Sequence, residues 1–408
     1  MKKPLSVWLY GELAGYLNQN EEGKLHFEYS ENAKYRLSLS LPQDKKEYVG
    51  KECAGFFNGL LPEGEQVRKS IAKKYGINYK NDFSLLSKIG YDCAGAVSFV
   101  YEKEEMPEFF EIKGKVLSED ELKKHILELP KKPLGMNNGE IRLSLAGAQD
   151  KTAVLVIDDK IALADKNIPT THILKPEILG IDESVENEYI CLITAKKAGI
   201  KVPKVEIRRA GDIKYFLIER YDREILDGKF KRIHQEDFSQ ALNIASAFKY
   251  QSEGGADYKK CFEILRQTSA PAVSIVEFLN IMMCNFLIGN NDAHGKNFSI
   301  LHHKNGKIEF APAYDILCTQ VYSGLSKKMA MKIGGHYEPE KILPEHFEKF
   351  CKEVGINAGQ FQKMLEKQAF LLPKLVEETI LEFENKIGKK ILNVVEKNCE
   401  RTIKRFGF

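Results

Sequence analysis

Several signals are absent from this 408-residue chain. Its eight cysteines, at positions 53, 93, 191, 261, 284, 318, 351 and 399, form no C-x-x-C pair. That spacing argues against a zinc site and a disulfide framework, and fits a reducing cytoplasm. The first ten residues hold only a brief apolar run before Gly11-Glu12, too short for a signal-peptide core or a membrane span. A net charge of +3 gives no basis for wholesale nucleic-acid binding. There are no internal repeats and no long low-complexity tracts. What remains is an ordinary globular composition, 43% hydrophobic and 29% charged, in a chain long enough for two or three domains.

The most informative stretch is Ile288 to Asn297, Ile-Gly-Asn-Asn-Asp-Ala-His-Gly-Lys-Asn. Asp292 and Asn297 stand in a D-x-x-x-x-N spacing, the separation at which a kinase catalytic loop places its base and a magnesium ligand. Phe298 to His302 and Lys307 to Ala311 read as short strands, and Asn305-Gly306 as a type I′ hairpin turn. Such a hairpin would return Asp315 to the neighbourhood of Asn297. Two oxygen donors there suit Mg²⁺, which is commonly held by one or two carboxylates and substrate phosphates. Taken alone, the same cluster also reads as an ordinary loop.

Along the chain, strands are expected at Leu5 to Tyr10, Leu13 to Leu17, Leu25 to Tyr29 and Tyr35 to Leu41, with helices at Phe56 to Leu61 and Gly64 to Tyr75. A closing strand follows at Ala94 to Tyr101. An acidic stretch ending at Pro107 sets a boundary near residue 105. Residues 140 to 157 read as strand, small-residue loop, strand, the loop being either a β-turn or a cover for phosphates. Thr171 to Lys175 is a strand whose lysine either reaches phosphates or lies solvated on an edge. Glu183 to Ala198 is a helix with Val185, Tyr189, Leu192 and Ala195 as its buried stripe; Glu188 is either a partner for Lys175 or a surface residue. Tyr215 to Glu219 is an apolar strand leading to a hinge near residue 224. The remainder is largely helical: Glu236 to Ser246, Tyr258 to Gln267, Ala272 to Ile288, Pro344 to Val354, Ala358 to Glu366, and Pro373 to Arg405 with a break at Gly388.

This order of elements is a kinase's. Nine ordered segments, among them Phe56-Phe-Asn-Gly-Leu-Leu-Pro-Glu, Leu143-Ser-Leu-Ala-Gly-Ala-Gln-Asp-Lys-Thr, His172-Ile-Leu-Lys-Pro, Ile218-Glu-Arg-Tyr-Asp-Arg, Lys249-Tyr-Gln-Ser-Glu-Gly-Gly, Gly289-Asn-Asn-Asp-Ala-His-Gly-Lys-Asn and Pro312-Ala-Tyr-Asp, give the chain a specific resemblance. That resemblance is to the HipA family of bacterial serine/threonine kinases, the toxins of type II toxin–antitoxin pairs. It implies an α+β, two-lobed kinase-like fold: a small antiparallel β domain over 1–105, a region with phosphate loop, lysine strand and hinge over 106–224, and a mostly helical lobe over 225–408. It implies ATP and Mg²⁺ as cofactors, Asp292 as base, and Asn297 and Asp315 as metal ligands. ATP would meet Ala146, Gly147, Ala148, Gln149, Asp150, Lys151, Lys175, Glu219, Arg220, Tyr221, His294, Gly295, Lys296, Asn297, Tyr314 and Asp315. Ser144 would be an inactivating autophosphorylation site. The implied partners are a helix-turn-helix antitoxin of HipB type, operator DNA through that complex, and a translation component such as glutamyl-tRNA synthetase. No membrane partner is implied, and the location is cytoplasmic. A DNA-bound co-repressor with a vestigial site, touching phosphates through the basic run Lys386 to Arg405, and a small-molecule kinase of similar fold are the alternatives.

Overall fold

The computed structural model describes residues 3–101, 106–129, 151–382 and 385–408. The boundary expected near residue 105, the strand at 140–145, Ser144 and the loop from Ala146 to Asp150 lie outside the described residues. By density of contacts the chain forms two units: 1–176 with 208–247 and 300–308, and 177–207 with 248–299 and 309–408. Both are discontinuous in sequence, whereas the three regions expected above follow one another along the chain.

The first unit begins with an antiparallel five-stranded sheet, ordered Glu47–Val49, Leu25–Tyr29, Glu12–Gln19, Leu5–Leu9, Val97–Tyr101. Alternating side chains on its inner face, Leu5, Val7, Leu9 and Phe27, bury against Phe56 and Phe57 of the helix Ala54–Gly59. The expected strand at Tyr35 to Leu41 is not one: it carries only an isolated bridge between Ser38 and Leu41. Its polar groups go elsewhere, Leu37 N–H to the Tyr29 hydroxyl, Leu39 N–H to Glu236 Oε1, and the Ser40 hydroxyl to Gln240 O. A helix that the pattern did not announce, Asp82–Ile89, starts at Asn81, whose side chain caps Ser84 N–H.

A second sheet runs Val205–Ala210, Ile213–Glu219, His172–Pro176, Thr152–Ile157, Lys160–Ala164, Gly114–Val116. The strand His172–Pro176 is interior to it, so Lys175 is not an edge lysine and is only 5% exposed. Past residue 224 the chain does not turn helical at once. Arg223–Leu226 and Lys229–Arg232 pair as a hairpin through Asp227-Gly228, both at positive φ. His234–Asp237 is a strand, and the helix expected at Glu236 to Ser246 shrinks to Phe238–Ala241. Asp237 and Gln240 cap each other's backbone, fixing the start of that single turn.

The second unit is helical: Ser184–Lys197, Tyr258–Leu265, Pro271–Ile288, Pro344–Val354, Ala358–Ile380 and Ile387–Phe406. Ser184–Lys197 is buried nearly all round, Glu186, Asn187 and Glu188 included, so the expected single stripe and a surface Glu188 are both corrected. Ala358–Ile380 continues through Pro373 because Phe361, Leu365, Ala369, Leu372 and Val376 form one unbroken buried stripe. The break expected at Gly388 is not there: one helix ends at Ile380 and the next starts at Ile387, with Gly388 in its first turn, where a Cβ would meet Asn385 Oδ1 at 2.4 Å. Pro271–Ile288 is the one helix among the described residues apolar and long enough to cross a membrane, with mean hydropathy 1.7. It packs inside this unit against the helices Ala358–Ile380 and Ile387–Phe406. All eight cysteines are buried and free, and burial pushes the thiols of Cys53, Cys93, Cys284, Cys318 and Cys399 up to about 12.

Candidate active site

The helix Pro271–Ile288 stops at Gly289, whose φ of 85° reverses the chain and whose N–H returns to Asn285 O. Two asparagines then build a loop. Asn290 donates to Asn285 Oδ1 at 2.9 Å and accepts from Asp292 N–H at 3.1 Å. Asn291 is tied through its N–H to the Thr319 hydroxyl, through Nδ2 to Ser326 O, and through its carbonyl to Ala330 N–H. Both are buried, and they leave Asp292 between them and Ala293 as an exposed carboxylate. Asp292 Oδ1 accepts from the Tyr250 hydroxyl at 2.9 Å.

Asn297 closes a short 3₁₀ turn, Gly295–Asn297: its Oδ1 accepts from His294 N–H at 3.0 Å and its own N–H donates to His294 O. The hairpin then runs out along Ser299–His302 and back along Ile308–Phe310. Its tip is not the expected type I′ turn. Gly306 has φ of 86° but Asn305 is not at positive φ, and His303 pairs with both Gly306 and Lys307. That is a three-residue loop with glycine at the left-handed position. The consequence expected of the hairpin holds all the same. Asn297 Nδ2 lies 3.5 Å from Asp315 Oδ2, and Asn290 Nδ2 lies 3.4 Å from Asp315 O.

Asp315 itself has φ of 53°, a left-handed conformation outside any hairpin turn, the kind of local strain that collects at functional sites. Tyr314 is locked beside it, its hydroxyl donating to Lys296 O at 2.9 Å and meeting the Ser299 hydroxyl at 2.6 Å. His294, Gly295 and Lys296 are buried; Asn297, Tyr314 and Asp315 are half-buried. No group of three or more His, Cys, Asp or Glu side chains is gathered as a metal cluster among the described residues. The Asn297 amide here turns Nδ2 toward Asp315 and keeps Oδ1 on His294 N–H, so this pair would fit a hard ion, completed by phosphates and water, once the amide turns its oxygen toward the carboxylate.

Lys151, Lys175, Glu219, Arg220 and Tyr221 belong to the first unit. Lys151 precedes Thr152–Ile157 and is half-buried; Glu219 and Tyr221 are half-buried at the end of Ile213–Glu219. Arg220 is different. Its guanidinium is spent inside the unit, on both Asp222 oxygens at 2.9 and 3.0 Å, the Thr170 hydroxyl at 3.1 Å and Cys93 O at 3.1 Å. Arg223 joins the cluster through Asp92 at 2.8 Å and the carbonyls of Thr170 and Gly95. Burial opposes the charge on Asp222, but the Arg220 and Arg223 guanidiniums overcome it and hold the carboxyl well below its usual range. Burial, joined by the like charge of Arg220, pulls Arg223 down to about 10. Of the basic run at the end of the chain, Arg405 donates to Ile342 O and Glu340 O, and Arg401 to Asn398 Oδ1, so both serve the fold.

Two family profiles match the chain: the HipA N-terminal domain over residues 5–100 and the HipA-like C-terminal domain over residues 143–375. A putative kinase of Sinorhizobium fredii, Y4mE, is 38% identical over 389 residues, 92% of each chain. The serine/threonine-protein kinase toxin HipA of Shewanella oneidensis is 28% identical over 360 residues, 85% of this chain and 81% of that one. Among solved structures, the Shewanella oneidensis HipA, HipB and operator DNA complex matches with a TM-score of 0.86 at 25% identity, covering 99% of this chain and 98% of that one. The fold is therefore α+β of the kinase-like class. The chain belongs to the HipA family of serine/threonine kinases.

Proposed function

We propose that the chain transfers the γ-phosphoryl group of ATP to a serine or threonine hydroxyl of a protein, as the toxin of a type II toxin–antitoxin pair. The observation that carries this is the approach of Asn297 and Asp315 to 3.5 Å beside a loop that presents Asp292 to solvent. With the Asn297 amide turned so that Oδ1 replaces Nδ2 beside Asp315, that oxygen and the Asp315 carboxylate would hold magnesium, which when bound neutralises charge on the phosphates. Lys175 would add a point charge on the nucleotide, and the peptide groups at Glu219 to Tyr221, not the Arg220 side chain, would serve the adenine. By the family resemblance Lys151, His294, Gly295, Lys296 and Tyr314 would also meet the nucleotide, as would Ala146 to Asp150, which lie outside the described residues. Asp292 orients the acceptor hydroxyl and takes its proton; the hydroxyl oxygen bonds to the γ-phosphorus as the bond to the β-bridging oxygen breaks and ADP leaves.

The acceptor we favour is a translation component, glutamyl-tRNA synthetase being one example, with phosphorylation of Ser144 silencing the enzyme by setting its charge against the nucleotide phosphates. A helix-turn-helix antitoxin and, through it, operator DNA are the proposed partners in the cytoplasm. The full-length likeness to a HipA captured with HipB and operator DNA supports that assembly. Phosphoproteomics after brief induction tests the reading: phosphosites must rise with the intact chain and not with Asp292→Ala. Equal patterns from the two would remove it.

A further inference from the structure

The segment Lys249-Tyr-Gln-Ser-Glu-Gly-Gly has no role in the account so far, yet among the described residues its tyrosine is the side chain that donates to the Asp292 carboxylate. We infer that Tyr250 is a positioning residue for the base, holding Asp292 Oδ1 by its phenolic hydroxyl so that Oδ2 faces the acceptor. This rests on the reading of Asp292 as base.

The bond at 2.9 Å is not a chance contact of two exposed side chains, because the backbone on both sides is fixed to one shared strand of chain. Ala330 accepts Gln251 N–H through its carbonyl at 3.0 Å and donates its own N–H to Asn291 O at 2.8 Å. The residue after Tyr250 and the residue before Asp292 are thus clamped by the same residue, Ala330. Lys332 N–H adds a bond to Gln251 Oε1 at 2.9 Å. Behind the tyrosine the chain turns sharply, with Glu253 N–H and Gly255 N–H both on Tyr250 O at 2.9 Å. At Gly255 a Cβ would lie 2.6 Å from Lys249 O, so the bend admits no side chain there. On its other side the ring meets the edge of the buried His294 imidazole, centroids 6.1 Å apart.

An aspartate on an exposed loop samples several rotamers, and only one points a given oxygen at an incoming hydroxyl. A charge-assisted hydrogen bond selects it. Since Tyr250 is 37% exposed, solvent competes for the bond and the selection is modest, worth about fivefold in rate.

The test is single-turnover labelling of the full chain by γ-labelled ATP with magnesium, followed against ATP concentration for the wild-type, Tyr250→Phe and Asp292→Ala chains, with thermal melting alongside. Tyr250→Phe is expected to lower the maximal rate about fivefold while half-saturating ATP and Tm stay at their wild-type values. A wild-type or faster maximal rate overturns the inference, and so does a slower rate accompanied by a raised half-saturating ATP or a lowered Tm. Label on Asp292→Ala, or none on the wild type, instead removes the base assignment itself and takes this inference with it.

Discussion

Asp222 and Asp292 are both aspartates held by neighbouring donors, but Asp222 is buried between Arg220 and Arg223 while Asp292 stands exposed on a loop with one phenol on it. The buried cluster carries three arginines, Arg220, Arg223 and Arg232, against Asp92 and Asp222, and backbone carbonyls together with the Thr170 and Ser98 hydroxyls take up further N–H groups. Its strong electrostatic perturbation marks structure: every hydrogen bond given for those side chains ends on the first unit's own atoms. The exposed loop keeps its asparagines for structure and its one acid for whatever arrives from solvent. In this molecule a shifted ionisation is a poor guide to chemistry, and an exposed acid on a rigid loop is the better one.

Four changes would break or sharpen that contrast. Asp292→Ala should lower phosphoryl transfer roughly 10³-fold, within the range for loss of a general base, and leave the urea midpoint unchanged, as read by labelled ATP and fluorescence. Asp222→Ala should do the reverse. Removing one partner of a buried ion pair costs about 3–5 kcal/mol, so its urea midpoint should fall sharply, with activity following only the folded fraction.

The third change uses acid. Burial, with His302 adding, pulls the His234 imidazole from 6.5 down to about 4. The unfolded chain therefore binds the proton first as pH falls, so this histidine's contribution is complete above about 6.5 and lost progressively toward about 4. Urea titrations across that window should show about 3 kcal/mol of lost stability that His234→Gln no longer shows. Smallest is Gly306→Ala at the hairpin tip, where φ of 86° costs a side chain about 1 kcal/mol; a modest drop in Tm is expected with no change in labelling.

How much of this was legible beforehand depends on the range of the interaction. Asn297 and Asp315 flank one hairpin, and local pattern is enough to bring them together even though the turn differs from the type I′ that Asn305-Gly306 suggests. The two-residue turn with both positions at positive φ sits instead at Asp227-Gly228, a dipeptide of the same kind in a region whose pattern reads as largely helical. The place of Arg220 after the hinge strand speaks for its peptide group; the distant partners of its side chain, Asp92 and Thr170, are 128 and 50 positions away and leave no local trace. Tyr250 escaped for the same reason, its bond to Asp292 spanning 42 residues. Pro373 misled in the opposite sense, since a helix with a continuous buried stripe can absorb the loss of one backbone bond.

The burial of all eight sulfhydryls gives the molecule an internal reporter. Iodoacetamide can reach them only when a segment opens, so counting alkylated sites by intact mass against time would rank the segments by how readily each comes apart. Cys93, next to the arginine cluster, and Cys284, in the helix that leads to the Asp292 loop, would time the two regions contrasted above without any substitution at all.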